Sequence, residues 1–485
     1  MSLTRLTFTS FFTRRVSTIP CILNGKDVIG LSKVPVVSHN GVLLHHYAPL
    51  DRPLEKVDEI CKNANTGFHK WSARSSEERR DIFMAAALII ENNRQLYIDA
   101  HTEIGGPAAF AEFGVAGAVA SCKEYAMHMT RPYGFSLQTQ QTDFAITHQT
   151  PIGPVLAIAP WNAPTILWAR AVMAPLAAGC SVVLKSCDKA PLPPYLLTQH
   201  LLQAGVDVEA LQLVQVQPDE NKAVVESFLQ HKYIKKVNFT GSTAVGRQIA
   251  AVAAQNLKPA LLELGGKNVA VICKDADLQK AASNVLFSAW FHKGQVCMCV
   301  DSVYVHEEVY DAFLAVLKTE AVKMMENPDF ALNQRDSAAA EKVQQLVTEA
   351  VEKGAKVVFG NRLSEVSSNC SPIILTDVND DMNLASEESF GPVFSVDKFH
   401  DMNVVIARIN DQPHGLKASV WSSDVLSALE TAKKLDFGGV HVNGSTIHDE
   451  PTVPHGAVKD SGSGRFNSVW GLEEFRYTKL ITLSK

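Results

Sequence analysis

The stretch "KKVNFTGSTAVGRQIAAVAAQNLKPALLELGGKNVAVIC" (Lys235–Cys273) alternates between two hydrophobic periods. "KKVNFTG" is a short apolar run of strand length, and "AVGRQIAAVAAQ" carries its apolar residues at helical spacing. "PALLELGG" returns to a strand, and "NVAVIC" is another. A strand, a helix and a strand in succession form the unit of a parallel sheet, because parallel neighbours need a connection long enough to bring the chain back. Upstream the same alternation recurs. "GPVLAIAP", "SVVLK" and "LQLVQV" read as strands, and "TILWARAVMAPLAAG", "PPYLLTQHLLQAG" and "DENKAVVESFLQH" read as the helices between and after them. Five short strands alternating with amphipathic helices give an α/β fold with a doubly wound parallel sheet. Such sheets bind ligands outside the carboxyl ends of their strands.

Further out, residues 52–130 read mostly as helix. In "SSEERRDIFMAAALIIENNRQLYIDAHTEIGG", Ser75 or Ser76 caps the start and Gly105-Gly106 closes it. Downstream a second α/β stretch begins. "DADLQKAASNVLFSAWFHKG" is a helix with aspartates at its start and Gly294 at its end, and "SVYVHEE", "AKVVFG", "SPIILT", "PVFSVDKF", "ASVWSS" and "GVHVN" are further strands. The last residues, "FRYTKLITLSK", alternate apolar and polar like a strand in search of a sheet edge, in this chain or on another subunit. There is no internal repeat.

The 485 residues leave room for two to four domains at about 150 residues each. Hydrophobic residues are 46% and charged residues 20%, an ordinary globular composition. A formal net charge of −6 gives no electrostatic reason to expect nucleic acid or an anionic membrane as partner. Nine cysteines, an odd number scattered through a long chain, fit a reducing compartment better than a disulfide framework. The opening "MSLTRLTFTSFFTRRVSTIP" has arginines, Ser/Thr and no acid, the composition of a mitochondrial presequence. It forms a poor amphipathic helix, so the other reading is an untargeted extension. The expected location is cytoplasmic, with mitochondrial as the alternative.

Several residues carry chemistry. Cys297, in "FHKGQVCMCVD", lies in a turn between a helix and a strand, where a thiolate can face a cleft. A lone cysteine is more often a small buried hydrophobe. A metal clip with Cys299 is weaker, since no second ligand pair has zinc-like spacing, and no metal is expected. Glu263 ends the fifth strand beside Gly265-Gly266, either as a functional carboxylate or as half of an ion pair. Asn162, in "APWNAP", can cap the following helix or donate to an oxyanion. Lys185 ends the second strand, as a surface lysine or a ligand for hydroxyl and phosphate groups. "FTGSTAVG" joins strand to helix through Gly241, Ser242 and Thr243, and free N–H groups there can hold a pyrophosphate.

Taken together, these residues resemble the aldehyde dehydrogenase superfamily. The match runs in order from "ILNGKDV" to "KLIT" and includes "APWNAP", "PLAAGCSVVLK", "FTGSTAVGRQIA", "LLELGGKNVAVICKDADL", "GQVCMC", "EESFGPVFSV" and "PHGAVKDSGSGRF". The resemblance implies an NAD-binding domain over residues 20–128 and 150–263, a catalytic domain over 264–450 and a small β oligomerisation arm from 129–149 and 471–485. It implies that Cys297 attacks the aldehyde carbon, that Asn162 and the Cys297 N–H hold the oxyanion, and that Glu263 is the base for hydrolysis of the thioester. Cys299 is then a bystander. For the cofactor, Lys185 resembles the adenosine-ribose ligand, and Ser242 with the helix start resembles the pyrophosphate site. Glu388 resembles the nicotinamide-ribose ligand with Phe390 near the ring, and Gly241 and Gly246 allow close approach.

The chain also departs from the family pattern. Asp188 stands where many members have Glu; its carboxylate still opposes a 2′-phosphate, so NAD is expected over NADP. Phe466 replaces a second water-activating carboxylate and leaves Glu263 the sole candidate. "MMENPDFALNQRDSAAAEK" is short against the usual loop. Within the superfamily the chain is most similar to the salicylaldehyde and vanillin dehydrogenase branch. Ala163, small where other branches are larger, makes room for a ring, and Arg170 either pairs with a phenolic or carboxylate group or belongs to a structural ion pair. The expected activity is NAD-dependent oxidation of an aromatic or bulky aldehyde to its acid by a homodimer or homotetramer. A CoA-acylating enzyme would not need Glu263. The alternatives are a thiol esterase that uses Cys297 without NAD and a catalytically altered or silent aldehyde-binding relative; intact Cys297, Glu263 and Asn162 speak against a silent site, though not against an altered substrate.

Overall fold

A computed structural model describes residues 18–131, 134–326, 334–360 and 370–484. Most of the arginine-rich opening, and part of the shortened loop after Met325, lie outside the described residues.

Two sheets meet end to end. In the first, eight-stranded sheet the strands Leu211–Val214, Val182–Lys185, Val155–Ile158, Lys236–Thr240 and Ala260–Glu263 lie side by side in that order. All four contacts between them are parallel. The chain winds outward in one direction from Val155–Ile158 and then crosses to its other side at Lys236–Thr240. Between these two strands the helices leave on opposite faces, and a crevice opens at the carboxyl ends. Antiparallel strands Cys21–Leu23 and Lys26–Val28 extend one edge, and Gly462–Ser463 covers the other. The strand interiors are buried on both faces, which is why the runs read as apolar without alternation.

The second sheet has seven strands in the order Lys356–Phe359, Ile373–Thr376, Val393–Phe399, Val300–His306, Asn268–Ile272, Lys417–Trp421 and Gly439–Val442. Every pair is parallel except the first. A small antiparallel sheet stands apart from both. Arg476–Leu483 pairs along its length with Phe144–Pro151, which also takes Ser136–Leu137. The terminal strand thus finds its edge within its own chain, and Leu480, Ile481, Leu483 and Phe144 are left exposed on this arm.

Two helix boundaries differ from the sequence expectation. The helix starting at Ser76 stops at Asn92, and a second runs over Arg94–Glu103. Asn93 ends the first turn of the break by donating its side-chain amide to the Ile89 carbonyl. The helix expected to end at Gly294 ends at Trp290, because His292, Lys293 and Gly294 all have positive φ. Gly294 is still required: a Cβ there would lie 2.1 Å from the Gly391 carbonyl oxygen. Among the described residues no helix is long and apolar enough to cross a membrane.

Ser75 forms a full capping box with Glu78. Ser75→Ala is expected to weaken that helix start by about 1 kcal/mol. Hydrogen exchange should quicken over residues 76–79 and stay unchanged in the two sheets.

Candidate active site

The two sheets are joined by four residues. Glu263 ends the last parallel strand of the first sheet, and Asn268 begins the first strand of the second. Between them Gly265 and Gly266 pass through a gap too narrow for side chains. A Cβ on Gly265 would lie 2.4 Å from a Glu388 carboxylate oxygen, and one on Gly266 would lie 2.8 Å from the Cys297 carbonyl oxygen. The crossing therefore brings together three segments far apart in sequence.

Cys297 sits in the turn that follows the left-handed residues 292–294. Asn268 fixes this turn from below. Its amide nitrogen donates to the carbonyls of Cys297 (2.7 Å) and Cys299 (2.8 Å), and its oxygen accepts from the Lys417 N–H (2.9 Å). Asn162 fixes it from the first sheet, with its amide donating to the Gln295 carbonyl at 2.9 Å. The Asn162 side chain does not cap the helix Pro164–Ala178; Ala163 is at that position without a side-chain bond. Cys299 is buried, with its thiol directed at the Phe291 carbonyl.

Glu263 is 1% exposed, and both its oxygens are buried without a hydrogen-bond partner. Burial alone would raise its pKa, but His455, Cys297 and Arg170 outweigh burial and hold it below the usual carboxylate value. The balance favours its ionised form, and neither oxygen has a donor at hydrogen-bond distance. The same charge acts on its neighbour: burial, and then the Glu263 carboxylate, push the Cys297 thiol well up. Burial also raises Glu388 to about 7, although its carboxylate accepts the Gly266 N–H at 3.1 Å.

A cleft runs along the carboxyl ends of the first sheet. Its outer cavity, about 480 Å³, is lined by Lys185, Asp188, Gly241 and Ser242 together with the helix faces behind them. Its inner cavity, about 280 Å³, is lined by Asn162, Glu263, Cys297, Glu388 and Phe390. Pro160, Trp161, Thr240, Gly241 and Ser242 border both, so the two are one continuous groove.

This groove fits a dinucleotide. Ser242 caps the helix Thr243–Gln255 with its side chain, the Thr243 hydroxyl is buried without a partner, and a Cβ at Gly241 would meet the Phe239 ring at 2.5 Å. Burial lowers the Lys185 ammonium pKa, opposed by Cys187 and Asp188.

Some expected residues lie elsewhere. Gly246 does make a close approach, but to Leu264, 2.4 Å from its would-be Cβ, so it serves helix-to-strand packing. Ala163 and Arg170 are buried and line neither cavity. The Arg170 guanidinium is ion-paired with Asp449 and lies 5.5 Å over the Phe466 ring, while its Nε is buried without a partner. Sequence reasoning did not single out Asn268, Asp449 or His455, which matter only because three loops converge here. Among the described residues no group of three or more His, Cys, Asp or Glu could hold a metal ion.

Residues 46–481 match the model of the aldehyde dehydrogenase family. A vanillin dehydrogenase from a Pseudomonas species is 37% identical, covering 89% of this chain and 90% of that one. A salicylaldehyde dehydrogenase from another Pseudomonas strain is 33% identical, covering 88% and 89%. The crystal structure of a salicylaldehyde dehydrogenase from Pseudomonas putida G7, complexed with salicylaldehyde, superposes with a TM-score of 0.92 at 29% identity, over 96% of this chain and 98% of that one.

Two outcomes follow from the geometry. Replacing Glu263 by Gln removes the charge that opposes the thiolate, so the pH profile of Cys297 alkylation by iodoacetamide should move to lower pH. Asn268→Ala leaves two buried carbonyls and one N–H unpaired, at about 1–3 kcal/mol each. It should lower the melting temperature and the alkylation rate together.

Proposed function

The chain belongs to the aldehyde dehydrogenase family and oxidises aldehydes to carboxylic acids with NAD(P), and from that premise we propose how its residues divide the work. The observation that carries the proposal is the Glu263 carboxylate, buried without a partner, set beside the Cys297 thiol.

The Cys297 thiolate adds to the aldehyde carbon. The Asn162 amide has one N–H on Gln295 and one to spare, and the spare N–H and the Cys297 backbone N–H hold the oxyanion. The nicotinamide, when bound, supplies the acceptor for the hydride that leaves this carbon. A thioester on Cys297 remains. Glu263 takes a proton from water, the water attacks the thioester, and the acid departs with the thiolate as leaving group.

In the groove, Lys185 holds the adenosine ribose, Ser242 and the helix start hold the pyrophosphate, Glu388 holds the nicotinamide ribose, and Phe390 packs by the ring. Asp188, in the outer cavity with Lys185, opposes a 2′-phosphate and favours NAD over NADP. The substrate is an aromatic or bulky aldehyde. The support for this is that the relatives named above act on vanillin and salicylaldehyde; Ala163 and Arg170, which line neither cavity, add nothing to it.

The domain division drawn from the sequence (20–128 with 150–263, 264–450, and the arm from 129–149 with 471–485) is the one we adopt. The exposed apolar arm would pair with a second copy, giving a homodimer or homotetramer. We place the enzyme in the cytoplasm; all nine cysteines are free thiols, and the bacterial relatives give the mitochondrial alternative no support.

With a benzaldehyde-type substrate and NAD, the parent protein should produce NADH and Cys297→Ala should produce none. Aromatic aldehydes should exceed short aliphatic ones in kcat/KM, and NADP should be the poorer cofactor. NADH from Cys297→Ala, or a preference for short aliphatic aldehydes, would contradict the assignment.

A further inference from the structure

Glu263, His455 and Asp449 form a buried row of three side chains. His455 Nε2 lies 3.8 Å from Glu263 Oε1, and His455 Nδ1 lies 3.6 Å from Asp449 Oδ1. The three are 1%, 1% and 9% exposed at their side chains. The backbone holds the imidazole in place, with His455 and Phe466 exchanging both N–H···O bonds of an antiparallel bridge. Neither ring nitrogen has a hydrogen-bond partner.

A neutral imidazole carries one N–H, and here two carboxylates compete for it. Asp449 is already supplied, with Arg170 paired to Oδ2 and the Asn467 amide donating to Oδ1 at 2.9 Å. No donor stands within hydrogen-bond distance of either Glu263 oxygen, and His455 and Cys297 are its nearest side-chain donors. An unpartnered carboxylate is the costlier of the two to leave buried. We propose that His455 is a positioning residue for thioester hydrolysis: its Nε2–H is given to Glu263 and keeps that carboxylate ionised and facing the water that attacks the acyl carbon on Cys297. A side-chain adjustment of less than about 1 Å closes the gap to hydrogen-bond length. Burial, and after it Arg170, keep the ring neutral, with its pKa lowered to about 3. This inference rests on the reading of Glu263 as the hydrolytic base.

Besides the row itself, Arg170 and Lys417 are the cations that face Glu263 and His455, and His441, Cys297 and Glu388 are the other titratable groups nearby. Of these groups, His455 alone offers the carboxylate an N–H along this row.

The test is a single-turnover experiment on the full-length protein with NAD and a benzaldehyde-type substrate, following NADH formation and acid release separately. It uses His455→Phe, His455→Gln and Glu263→Gln. In His455→Phe, NADH formation should keep the parent rate while acid release slows about tenfold or more, a part of what a general base contributes. Losing the donor makes the buried carboxylate harder to ionise, so the acid limb of the release rate should move to higher pH. His455→Gln, which keeps an N–H, should recover part of the rate and of the pH profile. Acid release and pH profile unchanged in both His455 variants, with Glu263→Gln crippled, would overturn this proposal and leave Glu263 as base. NADH formation and acid release falling in parallel would overturn it in favour of a structural role. An unimpaired Glu263→Gln would overturn the base reading itself.

Discussion

Everything at the site depends on the glycine crossing between the two sheets. Gly265 and Gly266 carry the chain from the end of one parallel sheet to the start of the other, through a gap bounded by Glu388 on one side and Cys297 on the other. With any side chain at Gly265, the Glu388 carboxylate, which accepts the Gly266 N–H, would have to shift. The carboxyl ends of the first sheet thus face the amino ends of the second, and the groove for the cofactor leads directly to the thiol.

That arrangement puts many charges out of water, and several of them are answered locally. Arg170 is paired with Asp449, and Lys267 lies 3.4 Å from Asp301, which also accepts the Ser389 N–H beneath Phe390. Glu263 is a buried carboxylate with no donor at hydrogen-bond distance of either oxygen. A buried charge left without a partner is destabilising. In the proposed mechanism that cost serves the reaction, because the carboxylate stands beside the Cys297 thiol.

Much of this was legible in the sequence. The strands Val155–Ile158, Val182–Lys185, Leu211–Val214, Lys236–Thr240 and Ala260–Glu263 all fall within the runs read as strands, because buried parallel strands are short, apolar and bounded by turn residues. The second sheet was legible for the same reason. Glu263 stood out as a carboxylate ending an apolar strand, Cys297 as a thiol in a turn between helix and strand, and Asn162 as an amide between strand and helix, while their roles came from the family resemblance. What local pattern could not show was what those groups touch. Nothing in "TILWAR" indicates that Arg170 meets Asp449, since 279 residues separate them. The stop at Trp290 is likewise tertiary in origin: Gly294 is held against Gly391, and the chain turns left-handed two residues early to reach that contact. His455 reads as one more histidine in a glycine-rich loop until the bridge to Phe466 sets it beside the base.

The central claim is that two adjacent groups divide the reaction, with Cys297 carrying the acyl group and Glu263 releasing it. Intact-protein and peptide mass spectrometry of Glu263→Gln, quenched in acid after mixing with NAD and a benzaldehyde-type substrate, tests this most directly. The account predicts one acyl group per chain, on the peptide containing Cys297, accumulating in the variant and absent from Cys297→Ala. An unmodified Cys297 in a Glu263→Gln enzyme that still turns over at the parent rate would contradict it.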